Sequence, residues 1–138
     1  MSTADIKKVD QRLLLDTHAL LWWLADPAQL SAKAHAAIGD PEHQVFVSAA
    51  SAWELATKVR LGKLEIAQQL LSELPDVVES QGFQLLPIQF SHGLRAGGYP
   101  QAHRDPFDRL LAAQAELEQL ALVSLDRALT AFPCQLLW

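Results

Sequence analysis

A chain of 138 residues, half of them hydrophobic and a fifth charged, has the size and composition of one globular domain with a substantial core. Its formal net charge of −5 excludes a broadly basic nucleic-acid surface, so any affinity for RNA or DNA has to come from local cations. A single cysteine, Cys134, excludes an internal disulfide and a cysteine zinc site. With a polar N-terminal segment and no apolar run of membrane-spanning length, the expectation is a soluble cytoplasmic protein.

Residues 1–11 read as a loose lead-in to a single domain spanning 1–138. After Arg12, the run Leu13-Leu14-Leu15 predicts a strand buried on both faces, as in a parallel sheet covered by helices. Asp16 follows at once, and Thr17 is suited to cap the helix that opens there and stops at Asp26-Pro27. This helix carries Leu20, Leu21, Trp22, Trp23 and Leu24 and is apolar nearly all round, which predicts deep burial or an interface in a homodimer. Ser31 caps a short helix to Ile38, and residues 45–47 form a β-branched second strand. A helix from Ala52 to about Leu61 ends at Gly62. Residues 66–80 read as further helix weakened by Pro75, 83–86 as a third strand, and 91–96 as a short helix. The clearest helix opens at Asp105-Pro106-Phe107-Asp108 and carries a Leu110, Ala113, Leu117, Leu120 stripe. Residues 121–124 make a fourth strand, 126–131 a short helix and 134–137 a terminal strand. Such alternation builds parallel βαβ units, hence a three-layer α/β/α domain on a central parallel sheet of about four to five strands.

Acidic residues recur at one kind of place, just after a strand or at the start of a helix: Asp16, Glu54, Asp105, Asp108 and Asp126. Each has a structural explanation. Ser51 and Glu54 fit a capping box, Glu54 can pair with Lys58 one turn on, and Asp105 before Pro106 is a favoured cap. Asp108 complements the helix dipole, and Asp126 serves as a simple cap. Together they point elsewhere, because all strand C-termini of a parallel sheet share one edge and the acids converge there. Crowded carboxylates repel and raise one another's pKa unless a cation neutralises them. An oxygen-only ligand set without a cysteine or a histidine pair favours Mg²⁺ or Mn²⁺, and such sites take up phosphate oxygens.

Four stretches carry a resemblance: Leu14-Leu15-Asp16-Thr17-His18-Ala19-Leu20-Leu21-Trp22; Ser48-Ala-Ala-Ser51-Ala-Trp53-Glu54-Leu-Ala-Thr-Lys58; His103-Arg-Asp105-Pro-Phe-Asp108-Arg109-Leu-Leu-Ala-Ala-Gln-Ala115; and Leu122-Val-Ser124-Leu-Asp126. In this order and spacing they resemble PIN domains, above all the VapC toxins of bacterial type II toxin–antitoxin systems, from about residue 12 to the C-terminus. The resemblance implies an endoribonuclease dependent on Mg²⁺ or Mn²⁺, a homodimer, and a cognate antitoxin. It places the family's four acids on Asp16, Glu54, Asp108 and Asp126 as metal-holding catalytic residues, with Asp105 an added ligand or only a cap. Leu125 stands where many relatives carry a polar or basic residue, and the acidic net charge leaves RNA to local lysines and arginines.

Arg109, next to Asp108, is the expected site-proximal cation, and Ser124 a candidate hydrogen-bond partner for the acids or the substrate. Lys58, Arg60 and Lys63 read as a solvated helix face. His18 lacks a second histidine with which to share a metal, and His92 and His103 carry no functional signal. Two other functions fit parts of the pattern: a PIN-like RNA-binding or scaffolding module without catalysis, and a receiver-like signalling domain. A receiver wants an acid pair after strand one and a lysine after its last strand, and neither is present.

Overall fold

The computed structural model describes residues 11–66 and 68–138, so most of the expected lead-in lies outside the described residues. Five strands form one sheet: β1 (Arg12–Leu15), β2 (Gln44–Ser48), β3 (Gln84–Leu86), β4 (Ala121–Val123) and β5 (Gln135–Leu137). The order is β3-β2-β1-β4-β5 and every pairing is parallel. β1 is therefore the central strand, with Leu14 set between Phe46 of β2 and Leu122 of β4.

Alternation along β1 distributes the core. Leu13 and Leu15 face one apolar layer with Val45, Val47 and Val123, while Leu14 faces the other with Phe46 and Leu122. All three leucines have no exposed surface, as their uninterrupted apolar run requires. Helices α1 (Thr17–Ala25), α2 (Ala32–Gly39) and α5 (Leu74–Ser80) cover the first layer through Leu20, Ile38 and Val78. Helices α6 (Phe90–Gly98) and α7 (Pro106–Leu117) cover the second, where Ala112, Ala113 and Ala115 let α7 lie close on the sheet. Helix α3 (Ala49–Arg60) contributes to both, Ala50 to one layer and Leu55 to the other. The result is the three-layer α/β/α arrangement expected from the sequence.

Several boundaries differ for local reasons. Helix α3 opens three residues earlier than expected because the Ser48 hydroxyl, not Ser51, accepts from the Ala50 amide. Gly62, in the left-handed region at φ 72°, ends it as expected. The helix expected over 66–80 is two pieces, α4 (Gln68–Ser72) and α5, with Pro75 in the first turn of the second, where its missing N–H costs nothing. The helix expected over 91–96 extends to both sides as α6, and the short helix expected over 126–131 is a 3-10 helix over 127–131. Trp22 and Trp23 are half-buried against the first core layer rather than bare: Trp22 lies 5.8 Å from Trp138 and Trp23 6.0 Å from Phe83, ring centre to ring centre.

Candidate active site

The chain builds outward from β1 through β2 to β3, then returns to the other side of β1 as β4 and β5. β1 and β4 thus meet where the winding direction reverses, the position at which parallel sheets open a crevice beyond their strand ends. The Asp16 amide donates to the Val123 carbonyl across this junction at 3.1 Å. A cavity of about 440 Å³ opens here, lined by Asp16, Thr17, His18, Trp22, Glu54, Lys58, Asp105, Asp108, Leu125 and Asp126.

One wall comes from β1, α1 and α3. Asp16, not Thr17, caps α1: its Oδ1 accepts from the Ala19 amide at 2.7 Å. Thr17 is thereby free to turn inward, where its hydroxyl donates to Glu54 Oε1 and lies 3.1 Å from Ser51 Oγ. Glu54 Oε2 meets the Lys58 ammonium at 2.7 Å. The capping-box reading of Ser51 and Glu54 therefore fails: the cap is Ser48, and both are buried side chains inside the helix, Ser51 in its first turn and Glu54 in its second. The pairing of Glu54 with Lys58 is the alternative that the structure displays. Ser124 ties this wall to the next, since its Oγ accepts from the Asp126 amide at 3.0 Å and its hydroxyl favours the charged form of Asp16.

The other wall comes from the start of α7 and the turn after β4. Asp105 Oδ1 caps α7 by accepting from the Phe107 amide at 2.9 Å and the Asp108 amide at 3.3 Å. Asp126 Oδ1 accepts from the Ala128 amide at 3.0 Å and caps the 3-10 turn. His103 Nε2 donates to Asp108 Oδ2 at 2.9 Å. His103, Asp108 and Asp126 each present one donor atom within 4.8 Å of the other two.

Burial raises the Asp16 carboxyl above its ordinary 3.8, against the pull of hydrogen bonds from Ser124 and Ala19. Asp108 is raised too, again chiefly by burial, with the charges of Asp105 and Glu54 adding to it and His103 opposing. The upward direction matches the expectation for clustered acids, but loss of solvent outweighs their mutual repulsion.

A family model described as "PIN domain" matches residues 13–133. The chain belongs to the PIN-domain family. It is 34% identical over 118 residues to "Ribonuclease VapC22" of Mycobacterium tuberculosis, an alignment covering 85% of this chain and 88% of that protein. A second protein of the same organism, "Ribonuclease VapC16", is 36% identical over 73 residues, 51% of this chain and 52% of its own. Among solved structures, the fold is similar to a chain of VapBC2 from Rickettsia felis bound to a DNA fragment from its promoter. That likeness has a TM-score of 0.66 and 14% identity and covers 93% of this chain and 98% of the other. A chain of FitAB bound to an IR36 DNA fragment is similar with a TM-score of 0.57 and 17% identity, covering 91% and 93%.

In this PIN domain the four acids that the resemblance singles out, and Asp105, line one cavity. Arg109 departs from its expected place. Its guanidinium donates to the carbonyls of Ala96, Tyr99, Gln101 and His103 at 2.7–2.9 Å, so its donors are spent on the chain before α7. Two residues of this region carried no functional reading in the sequence. Lys58 belongs to a run that reads as a solvated face; Arg60 and Lys63 are exposed as that reading requires, but Lys58 lies one turn from Glu54 and reaches into the cavity. His103 stands five residues before Asp108, across a loop whose return no local periodicity encodes. With it, the donor set is no longer oxygen alone.

Proposed function

We propose that this PIN domain is a metal-dependent endoribonuclease and the toxin of a toxin–antitoxin pair. The observation that carries the reading is the convergence of Asp16, Glu54, Asp108 and Asp126 on one cavity at the reversal point of a parallel sheet. The ribonuclease names of the VapC22 and VapC16 relatives support the reaction, and likeness to chains of VapBC2 and FitAB complexes supports an antitoxin partner.

The donor set fits a hard divalent cation. Asp16 and Asp108 carry carboxyls whose ionised form burial disfavours, a cost that a bound cation offsets. Carboxylate oxygens in a polar cavity are the ligands that Mg²⁺ and Mn²⁺ take. When bound, such a cation supplies a Lewis acid for a phosphodiester and lowers the pKa of water at neutral pH. Asp16, Glu54, Asp108 and Asp126 would hold it. The Ala19 amide orients Asp16 and the Thr17 hydroxyl orients Glu54 toward the cavity. Among the described residues Lys58 is the lysine or arginine that lines the cavity, and its ammonium is the group positioned to meet a phosphate there. Asp105, with Oδ1 committed to two amides, is assigned the cap.

A homodimer belongs to the same reading, with its apolar surface relocated. Since Trp22 and Trp23 pack inward, the bare apolar side chains are elsewhere: Phe90 is 86% and Leu94 67% exposed on one face of α6. Among the described residues no helix is long and apolar enough to cross a membrane, and the cytoplasm, where RNA is met, is the proposed compartment. The strand order weighs against a receiver, whose doubly wound sheet runs 2-1-3-4-5 rather than 3-2-1-4-5.

Purified protein is expected to cleave single-stranded RNA with Mg²⁺ or Mn²⁺ and not with EDTA. An intact fold with no cleavage under either cation would leave a binding module instead. Growth arrest on expression, relieved by co-expressing the adjacent upstream open frame, tests the toxin–antitoxin assignment. Light scattering over micromolar concentrations tests the dimer.

A further inference from the structure

We infer that His103 is a nitrogen ligand of the cation site, and that it biases this PIN domain toward Mn²⁺ over Mg²⁺. The inference rests on the metal-dependent reading above and adds a residue to it.

The ring is aimed rather than adrift. Arg109 Nη1 donates to the His103 carbonyl at 2.9 Å and its guanidinium also holds Ala96, Tyr99 and Gln101, so one half-buried side chain clamps the loop that carries the histidine. The imidazole lies edge-on to Phe132 at 5.8 Å between ring centres, which fixes its plane. Thus held, Nε2 faces Asp108 Oδ2 at 2.9 Å, and an Asp126 oxygen lies within 4.8 Å of both. Two ligands at right angles around a cation with bonds of about 2.1 Å stand about 3.0 Å apart, and two opposite ones about 4.2 Å. The His103–Asp108 separation already matches the first spacing. Exposed Asp126 at the rim has an oxygen within 4.8 Å and can swing inward to join them, opposite at most one of the two. The same contact serves as a hydrogen bond without a cation and as two neighbouring bonds with one.

An imidazole changes what the site selects. Mg²⁺ demands oxygen and gives up its waters reluctantly, whereas first-row transition cations accept nitrogen and carboxylate together. Three convergent groups, one of them nitrogen, therefore discriminate in a way that four carboxylates do not.

Mn²⁺ is the probe, bound to the whole purified chain without RNA. Pulsed paramagnetic resonance should record a ¹⁴N coupling to bound Mn²⁺ that persists in His18→Asn, the histidine in the cavity lining, and disappears in His103→Asn. Titration calorimetry should show Mn²⁺ affinity reduced about 10-fold in His103→Asn, at or above the lower end of what supporting groups of metal sites contribute, with Mg²⁺ affinity changed less than about 3-fold. His103→Gln, which keeps a hydrogen-bond donor toward Asp108, should lose the coupling too, separating ligation from loop support. Mn²⁺ binding without a nitrogen coupling, or unchanged Mn²⁺/Mg²⁺ preference in both variants, overturns the inference while leaving the nuclease reading intact. Absence of any Mn²⁺ binding together with absence of RNA cleavage overturns both.

Discussion

On the β1–α3 wall of the cavity, Asp16 and Glu54 are 8% and 5% exposed, and the protein supplies their partners. Glu54 has one oxygen on Thr17 and the other on Lys58; Asp16 has the Ala19 amide and Ser124. On the α7–β4 wall, the side chain of Asp108 keeps 20% of its surface in solvent and Asp126 is exposed, so water and one histidine suffice. The contrast follows from desolvation. A carboxylate removed from water has to be paired or hydrogen-bonded, and one at the rim does not. The inner wall is therefore rigid and already neutralised on one side by Lys58, while the outer wall retains the freedom to close on a cation.

The largest effect should come from the inner wall. Asp16→Asn keeps the cap on α1 and removes the charge, so RNA cleavage should fall by more than the roughly 10–100-fold typical of losing a supporting partner. Its stability should move the opposite way. Folded Asp16 retains its proton to a higher pH than the unfolded chain, whose value is near 3.8; the associated stability is complete below that value and lost as pH rises through the folded one. In EDTA at pH 7 the variant should thus melt above wild type, with the gap closing below about pH 3.8. A variant that melts lower at every pH would show that Asp16 is stabilising when charged.

Arg109→Met comes next and separates support from substrate binding. Removing the donors of four carbonyls should cost about 2–4 kcal/mol in chemical denaturation. The salt dependence of RNA binding should not change, because this guanidinium faces the chain and not a phosphate. A reduced salt slope with unchanged stability would restore the arginine to the substrate side.

Lys58→Met probes the neutralised wall directly. Fully buried pairs lose about 3–5 kcal/mol when one partner goes, but the Lys58 side chain is 35% exposed, so about 1 kcal/mol is expected in EDTA. Mg²⁺ should raise the melting temperature of this variant more than that of wild type, since a cation can take the place the ammonium vacates. Equal shifts would mean that the cation never approaches Glu54.

The smallest effect belongs to Asp105→Asn, because Asn caps as well as Asp: a change within about 0.5 kcal/mol and near-normal cleavage. Asp108→Asn, nearly a full turn on, should inactivate. If cleavage survives both substitutions, the outer wall holds no cation.

Much of this was readable from residues alone, because it is encoded locally. The leucine triplet required a strand covered on both faces, and the motif order placed Asp16, Glu54, Asp108 and Asp126 where the cavity gathers them. What escaped depends on contacts distant in the chain or on choices between near neighbours. Asp16 and Thr17 compete for one cap, and the winner decides which of them faces Glu54. Weighing cap against cavity as alternatives was itself misleading, since Asp16, Asp105 and Asp126 each cap with Oδ1 while lining the crevice. Arg109 beside Asp108 invited a phosphate-binding role that only the path of residues 96–103 rules out.

The junction of β1 with β4 also has a meaning in time. Leu15 pairs with Val47 on one side and Val123 on the other, and Asp16 finds its backbone acceptor in the last residue of β4 and Ser124 just after it. During synthesis β1 can zip to β2 early, but its other edge stays unsatisfied until residues 121–126 have left the ribosome. Pairing across such a separation is slow to nucleate and has no local substitute. A half-made chain thus holds two of the acids without the crevice, and nuclease activity cannot precede the emergence of residues 121–126.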